Sequence, residues 1–179
     1  MDYLEQDEVI GIRRITEADK DTYYQMGKSR SFMKALYDDI FERLWNEFIS
    51  EEVIMFTAFE KESNSICGFC QLDMAHPSKP EIGIDMLDGY MDKGYGTRTA
   101  ALVVRYAGTW DSVDYFTWKA DTENSKSRKI AESLNGELIQ ERKFLPDSMI
   151  DYGLQKGILQ EKDLTTVCKY KILKDRGLL

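Results

Sequence analysis

The chain has 179 residues, of which 42% are hydrophobic, so one domain over residues 1–179 is expected to bury its core without disulfide or metal staples. Its 24 basic and 32 acidic side chains give a net charge of -8, which disfavours nucleic acid and anionic membranes and suits a cationic partner such as an amine. The charged start at residues 1–5 does not resemble a signal peptide, and no later apolar run has the length of a membrane span, so a cytoplasmic protein is expected.

The first half of the chain predicts a strand, two helices and a hairpin. Residues 10–15 form a short strand, and residues 16–19 follow it with a capping-box-like helix start. In residues 31–48, apolar side chains recur every three to four positions, which predicts an amphipathic helix. Residues 53–60 and 66–74 are typical of two strands joined by a polar turn.

The second half of the chain is predicted to alternate strands with helices. Strands are predicted at residues 81–87, 115–120, 137–141 and 166–173, and helices at residues 96–107 and 125–134. The connection over residues 144–164 is long for a compact domain and contains a helix start at Pro146 and Asp147. We therefore expect this connection to cover a site.

Two of the three cysteines, Cys67 and Cys70, have the CxxC spacing of redox and zinc sites. They lie in a predicted strand, where side chains three positions apart point to opposite faces. We therefore expect two small buried or half-buried residues, and no metal site.

A glycine-containing loop separates the strand at residues 81–87 from the helix that follows. Residues 90–97 read Tyr-Met-Asp-Lys-Gly-Tyr-Gly-Thr. Glycines at a helix start leave backbone N–H groups open to an anion, so the loop predicts a phosphate-bearing ligand. A dinucleotide oxidoreductase built around Gly94 and Gly96 is one alternative, although Thr99 replaces the third glycine of that fingerprint.

The segments at residues 93–97 and 124–136 together resemble two motifs of the GCN5-related N-acetyltransferase (GNAT) family, and most of all of the RimJ/RimL type that acetylates N-terminal amines of ribosomal proteins. Residues 93–97, Lys-Gly-Tyr-Gly-Thr, are similar to the acetyl-CoA signature of the family. Residues 124–136, which include Asn124 and Ser127, are similar to a second family segment. The two motifs occur in the family's order, about thirty residues apart.

The resemblance implies a fold and an activity. The fold is the GNAT fold, of the α/β (α+β) class, with a mixed sheet of six or seven strands, mostly antiparallel with a splayed parallel pair, flanked by about four helices. The activity is transfer of an acetyl group from acetyl-CoA to a primary amine by direct attack on the thioester. The acceptor is left open between a peptide N-terminus, a polyamine, an aminoglycoside and an amino acid, and the protein is expected to be a monomer or homodimer. A noncatalytic acyl-CoA-binding or regulatory domain is the alternative.

The family motifs also imply which residues bind acetyl-CoA. They are Met86, Leu87, Met91, Asp92, Lys93, Gly94, Tyr95, Gly96, Thr97, Asn124 and Ser127. Backbone N–H groups around Met86 and Leu87 would hold the pantetheine and polarise the thioester carbonyl. Asn124 would bind the pantetheine arm.

Catalytic roles are implied for two residues. Glu81 matches the strand carboxylate that serves as general base in several family members, with Asp85 and Glu141 in reserve. Ser127 matches the serine thought to protonate or steady the CoA thiolate in the RimJ/RimL type. It matters here because Ala131 stands where many members carry a tyrosine donor. Alternative hydroxyls are those of Tyr152 and Tyr170.

The acetyl-CoA loop departs from the family pattern at two positions. Met91 stands in place of the usual Arg or Gln, and Asp92 in place of a glycine. Because backbone N–H groups do most of the binding, we expect weaker but retained CoA binding, with Asp92 turned outward. The candidates for contact with the outlying phosphate of CoA are Arg98, Arg105, Lys126, Arg128 and Lys129.

Overall fold

A mixed sheet forms the centre of the protein, whose computed structural model describes residues 2–30, 34–48, 53–160 and 164–174. The strands are β1 (Glu5–Gln6), β2 (Ile10–Arg14), β3 (Val53–Glu60), β4 (Ser65–Asp73), β5 (Glu81–Met86), β6 (Tyr115–Asp121), β7 (Glu137–Lys143) and β8 (Thr166–Leu173). They lie in the order β1-β2-β3-β4-β5-β6-β8-β7. The α-helices of the described ranges are α1 (Lys20–Arg30), α2 (Lys34–Phe48), α3 (Tyr95–Ala107), α4 (Ser125–Ser133) and α5 (Asp147–Gln155).

The topology confirms the predicted fold class. Neighbouring strands are antiparallel except β5 and β6, which run parallel. The sheet has eight strands rather than six or seven, and the described ranges hold five helices rather than about four. Strand β1 was not predicted because two residues are too few to show an alternating pattern.

The parallel pair is splayed. Strands β5 and β6 are in register at Glu81 with Thr117 and at Ile82 with Trp118. Beyond these two pairs the strands have no further register partners and separate toward their carboxyl ends. The sheet therefore contains a gap between β5 and β6.

Helices cover the two faces of the sheet. Helix α3 packs on one face through residues 99–104, which are all buried because this run is apolar apart from Thr99. Helix α4 packs beside it against β6 and β8. On the other face, Met26 of α1 meets Met55 and Phe69 of the sheet in a second apolar cluster.

Residues 31–33, the predicted start of α2, lie outside the described residues. No helix in the described ranges is long and apolar enough to cross a bilayer.

The two cysteines of the CxxC segment both lie in the core cluster that includes α3, so the expectation that they point to opposite faces is wrong. A β-bulge is the cause. Ala58 pairs with Gly68 but the next residue of β3 pairs with Ile66, so Cys67 has no cross-strand partner and the alternation is shifted. Burial raises the pKa of both thiols, that of Cys67 to about 12. Cys67 and Cys70 are free and buried, as expected of small core residues.

Asp19 fixes the turn between β2 and α1. The Thr16 backbone N–H donates to its carboxylate at 2.9 Å, as in the predicted capping box. Arg13 donates two hydrogen bonds to the same carboxylate, at 2.7 and 2.8 Å, and the Thr57 hydroxyl donates another at 2.9 Å. Asp19 is 1% exposed, so a buried carboxylate joins β2, β3 and the start of α1.

Candidate active site

A cavity of about 650 Å³ lies between the carboxyl end of β5, the loop before α3 and the start of α4, on the face covered by α3 and α4. We call it the helix-side cavity. Of the residues predicted to bind acetyl-CoA, those that line it are Met86, Met91, Asp92, Gly94, Gly96, Thr97, Asn124 and Ser127. The structure therefore brings the two sequence motifs together around one space.

The loop before α3 presents backbone donors to this cavity. Gly94 is the N-cap of α3 and has φ 78°, a left-handed conformation that favours glycine. The first N–H groups of a helix have no intrahelical partner, and Gly94 has no side chain that could cap them. A Cβ added at Gly94 would meet no atom within 4 Å, so the space above the loop is open. These features fit a phosphate group.

Two other predicted residues of the loop, Lys93 and Tyr95, do not line the cavity but brace the loop from outside. The Tyr95 hydroxyl donates a hydrogen bond to Glu60 at the end of β3. The Tyr95 ring stacks on Tyr90, with 5.7 Å between ring centroids. The Lys93 ammonium lies 5.6 Å from the centroid of the Tyr90 ring. Their side chains therefore hold the loop in place.

Asp92 has φ 60° and its carboxylate forms an ion pair with Lys126 of α4, at 2.7 Å. Both side chains are exposed, so this pair stands at the mouth of the cavity. Lys129 of α4 also lines the cavity. Lys126 and Lys129 are thus the two predicted phosphate contacts that the fold places there.

The three remaining basic candidates are used elsewhere in the protein. Arg98 pairs with Asp7 and Glu8, and Arg105 pairs with Glu5. Arg128 donates to the Tyr170 hydroxyl at 3.1 Å. Each of these contacts joins a helix to a strand or to the segment beside β1, so the three arginines have structural partners.

Asn124 and Ser127 form the polar wall of the cavity at the start of α4. The Asn124 side-chain oxygen accepts a hydrogen bond from the Ser127 backbone N–H at 3.0 Å, which caps the helix. Its NH₂ group therefore remains able to donate to a ligand. The Trp118 indole N–H donates to the Ser127 hydroxyl oxygen at 3.0 Å. Because an indole can only donate, Ser127 accepts there and keeps its own proton for another acceptor.

The end of β5 supplies one backbone donor instead of two. The Leu87 N–H donates to the Cys67 carbonyl at 2.9 Å, so it is not free to hold a ligand, which corrects the expectation for this residue. Successive N–H groups of a strand point to opposite edges, so the N–H of Met86 faces the gap. Arg30 of α1 fixes this strand end by donating to the Met86 carbonyl at 2.5 Å.

Glu81 lies on the opposite face of the sheet, in a second cavity of about 640 Å³ that we call the open-face cavity. Its carboxylate pairs with the Lys119 ammonium at 2.6 Å. Glu81 pairs in register with Thr117, and the next pair, Ile82 with Trp118, is the last before the strands separate. The open-face cavity therefore lies next to the base of the gap. The structure therefore places Glu81 and Ser127 on opposite sides of the splayed strands rather than in one cavity.

Comparison with known proteins identifies the family. A family model described as an acetyltransferase (GNAT) domain matches residues 10–137. The chain belongs to the GNAT family. No curated protein sequence matches the chain.

Solved GNAT structures share the fold at low identity. RimL, a ribosomal L7/L12 alpha-N-protein acetyltransferase solved with coenzyme A, has a TM-score of 0.75 at 12% identity, covering 98% of this chain and 99% of its own. The spermidine N-acetyltransferase of Vibrio cholerae, solved with CoA and spermine, has a TM-score of 0.73 at 13% identity, covering 94% of this chain and 97% of its own. The mostly antiparallel sheet and the family match together argue against the dinucleotide oxidoreductase alternative.

The reserve carboxylates of this GNAT protein differ in environment. Asp85 lines the helix-side cavity and pairs with Arg30 at 3.1 Å. Partial desolvation by the surrounding protein raises the pKa of Asp85 and the Arg30 guanidinium opposes the rise, but the side chain is 59% exposed, so the effect of burial is weak. Glu141 lies on edge strand β7, with an oxygen 4.0 Å from the Cys168 sulfur, and lines neither cavity. Asp85 is therefore the stronger alternative to Glu81.

The reserve hydroxyls lie outside both cavities. Tyr170 is 2% exposed, and its hydroxyl is held between Arg128 at 3.1 Å and Glu132 at 3.3 Å. Tyr152 lies on α5 and is 59% exposed. Neither lines the helix-side cavity, so of the three predicted hydroxyl donors Ser127 is the one that does.

Arg30 is the main site residue that the sequence did not indicate. It joins three acceptors, which are Asp85, the Met86 carbonyl and Asp88 at 3.0 Å. Phe69 faces α1, and its register partner Asp85 points to the same face of the sheet. Arg30 and Asp85 nevertheless line the helix-side cavity, so they reach it from the opposite face. The gap therefore passes through the sheet. No local pattern predicts Arg30, because its partners lie more than 50 residues away.

The Asp92–Lys126 pair leads to a prediction on CoA affinity. Asp92→Asn keeps the side-chain size and a residue type that tolerates positive φ, but removes a negative charge beside the phosphate loop and releases Lys126. We expect the dissociation constant for CoA to fall about two- to fivefold, with a larger effect at low salt, because exposed charges interact weakly and are screened. Calorimetric titration with CoA at two salt concentrations measures it. Asp111→Asn, which lies outside the cavity, is the control, and weaker binding in Asp92→Asn would contradict the prediction.

Proposed function

We propose that this protein is an acetyl-CoA-dependent N-acetyltransferase that transfers an acetyl group to a primary amine by direct attack on the thioester. The gap between β5 and β6 is the observation that carries the proposal. A cavity with phosphate-binding features lies beside the gap, and Arg30 and Asp85 reach that cavity from the face that carries Glu81. A gap through the sheet lets the two substrates approach each other from opposite sides.

The residues of the helix-side cavity suit acetyl-CoA, which supplies the acetyl group as a thioester. The N–H groups at the start of α3 would bind the pyrophosphate, and Lys126 and Lys129 would contact phosphate at the mouth. Asn124 would hold the pantetheine through its NH₂ group. The Met86 N–H would polarise the thioester carbonyl, in a geometry that Arg30 keeps fixed.

The remaining groups move protons. Glu81 accepts a proton from the amine through a chain of water molecules as the new C–N bond forms, because it lies five positions before Met86 on β5, and Lys119 keeps its carboxylate oriented. Ser127 donates a hydrogen bond from its free proton to the thiolate that leaves as the C–S bond breaks. A thiol with a pKa of about 8.5 is already a fair leaving group, so a weak donor suffices.

A screen of amine acceptors tests the proposal. Release of the CoA thiol from acetyl-CoA is followed with peptides, polyamines, aminoglycosides and amino acids as acceptors. Acceptor-dependent release is expected. Ala131 in place of a tyrosine donor, and Asp92 in the loop, favour the noncatalytic alternative. Tight CoA binding with no release for any acceptor would establish that alternative.

Two substitutions in the polar wall are expected to separate binding from chemistry. Ser127→Ala is expected to lower kcat about tenfold with little change in KM for acetyl-CoA, because the donor acts on the leaving thiolate. Asn124→Ser keeps a good N-cap but loses the NH₂ group, so KM for acetyl-CoA is expected to rise several-fold. Steady-state kinetics measure both, and circular dichroism checks that α4 stays folded. Equal kcat values for Ser127→Ala and the unchanged protein would remove Ser127 from the mechanism.

A further inference from the structure

The open-face cavity has a floor of three adjacent strands. Lys119 of β6 is the register partner of Lys169 of β8, and Lys169 is in turn the partner of Gln140 of β7. Phe144, the first residue of the long connection, also lines the cavity. The long connection therefore begins at the rim of this cavity.

The cavity is basic in an acidic protein. Its lining contains four basic and three acidic side chains, which are Lys79, Lys119, Arg142 and Lys169 against Asp73, Glu81 and Asp121. The whole chain carries a net charge of -8. The lining therefore carries a formal excess of one positive charge, opposite in sign to the charge of the whole chain.

The acidic side chains of the lining are already engaged. Asp73 accepts a hydrogen bond from the Ala75 N–H at 2.9 Å, and Asp121 accepts one from the Glu123 N–H at 2.8 Å. Glu81 is paired with Lys119 at 2.6 Å. Within the described part of the chain, the other three cations, Lys79, Arg142 and Lys169, have no carboxylate partner within 4.0 Å.

Three cations of the lining, Lys79, Arg142 and Lys169, could each gain a counter-charge from a bound anion. Lys119 and Lys169 lie directly opposite each other on neighbouring strands, and like charges in that position destabilise a sheet. Lys79 and Lys169 are half-buried, so each has lost part of its hydration without gaining a counter-charge. A carboxylate bound between these cations would supply the missing partner.

We propose that the open-face cavity binds the acceptor and selects a primary amine that carries carboxylates, such as an acidic amino acid or the N-terminus of an acidic peptide. The inference rests on the proposed acetyl transfer. Glu81, at the base of the gap, receives the amine, while Lys79, Arg142 and Lys169 bind the carboxylates farther out. A polyamine carries no carboxylate that could pair with Lys79, Arg142 and Lys169. An α-amine with a pKa near 7.7 to 8.0 is also about a tenth neutral at pH 7, which suits attack without strong base catalysis.

A matched set of acceptors tests this selection. Initial rates are measured with the tripeptide Ala-Glu-Glu, its uncharged counterpart Ala-Gln-Gln amide, free glutamate and spermidine. We expect kcat/KM for Ala-Glu-Glu to exceed that for the uncharged tripeptide by about tenfold or more, because hydrogen bonds between charged groups are strong. A higher kcat/KM for free glutamate than for Ala-Glu-Glu would identify an amino acid as the source of the carboxylate. A lower value would identify a peptide. A preference for spermidine, or equal rates for the two tripeptides, would overturn the inference.

The variant Lys169→Gln has a close control on its own strand. Lys171 lies two residues along β8 on the same face but does not line the cavity. Lys169→Gln is expected to remove most of the preference for Ala-Glu-Glu while the rate with the uncharged tripeptide stays within twofold, and Lys171→Gln is expected to keep the preference. Equal effects of the two variants would show that the lysine acts through general surface charge and would contradict the inference.

Direct binding separates failure of this inference from failure of the proposed activity. Calorimetry measures the binding of Ala-Glu-Glu to the full chain in the presence of CoA. If no amine is acetylated but Ala-Glu-Glu still binds, and Lys169→Gln weakens that binding about tenfold, the proposed activity fails and the carboxylate site stands. If acetyl transfer occurs but Ala-Glu-Glu does not bind and reacts no faster than Ala-Gln-Gln amide, the carboxylate site fails and the activity stands.

Discussion

Replacing Glu81 by glutamine is expected to lower kcat/KM for the amine acceptor by about 100- to 10 000-fold, the usual contribution of a general base. Glutamine has nearly the same size and can still accept a hydrogen bond from Lys119, so the cavity keeps its shape. Acetyl-CoA binds on the other face of the sheet and its dissociation constant is expected to change less than twofold. Stopped-flow or steady-state rates with a neutral acceptor, and calorimetry with CoA, measure the two quantities.

Two further variants decide whether the loss arises from proton transfer. Asp121→Asn removes the same charge from the same cavity, so it measures the electrostatic share of the effect. Asp85→Asn tests the competing base, whose pKa is raised by burial and which lies beside Met86 at the gap. A larger loss in Asp85→Asn than in Glu81→Gln would transfer the base role to Asp85. Equal losses in Glu81→Gln and Asp121→Asn would leave Glu81 with an electrostatic role only.

The parts of the site that depend on local patterns could be predicted from the sequence. The glycine loop, the helix after it and the helix predicted over residues 125–134 are each set by neighbouring residues, so local patterns indicated them. The alternation of β5 placed Glu81 and Asp85 on one face, as the structure has it. These features are short in range, and tertiary packing does not override them.

The remaining features depend on partners distant in sequence. Arg30 reaches β5 only because α1 crosses the other face of the sheet. The bulge at Cys67 follows from pairing between whole strands, which a pattern in one strand does not contain. That Glu81 and Ser127 lie on opposite sides of the gap depends on the splay of β5 from β6, and Lys119 and Lys169 meet in the open-face cavity because β6 pairs with β8.

Asp19→Asn is expected to lower the free energy of unfolding by about 3–5 kcal/mol at pH 7, the range for breaking a buried ion pair. The carboxylate accepts hydrogen bonds from Arg13, Thr16 and Thr57, and asparagine cannot accept all of them or balance the guanidinium charge. For a chain of this size the midpoint of thermal unfolding would fall by roughly 6–20 °C. Urea unfolding followed by circular dichroism measures the change. Glu42→Gln, which breaks the exposed pair with Lys20, is the control and is expected to leave the midpoint almost unchanged.

The effect of Asp19→Asn is expected to depend on pH in a direction set by the pKa of Asp19. Burial alone would raise this pKa, but the hydrogen bonds and charge of Arg13, together with Thr16 and Thr57, outweigh burial and hold it below the ordinary 3.8. A carboxyl group with a lowered pKa in the folded state stabilises the protein above its unfolded-state pKa, and that contribution is lost as the pH falls through the folded-state value. The difference between the two proteins is therefore expected to be constant from pH 7 to about pH 5 and to shrink below pH 4. A difference that stays the same at pH 3 would mean that Asp19 stabilises the turn by packing and neutral hydrogen bonds, and not by its charge.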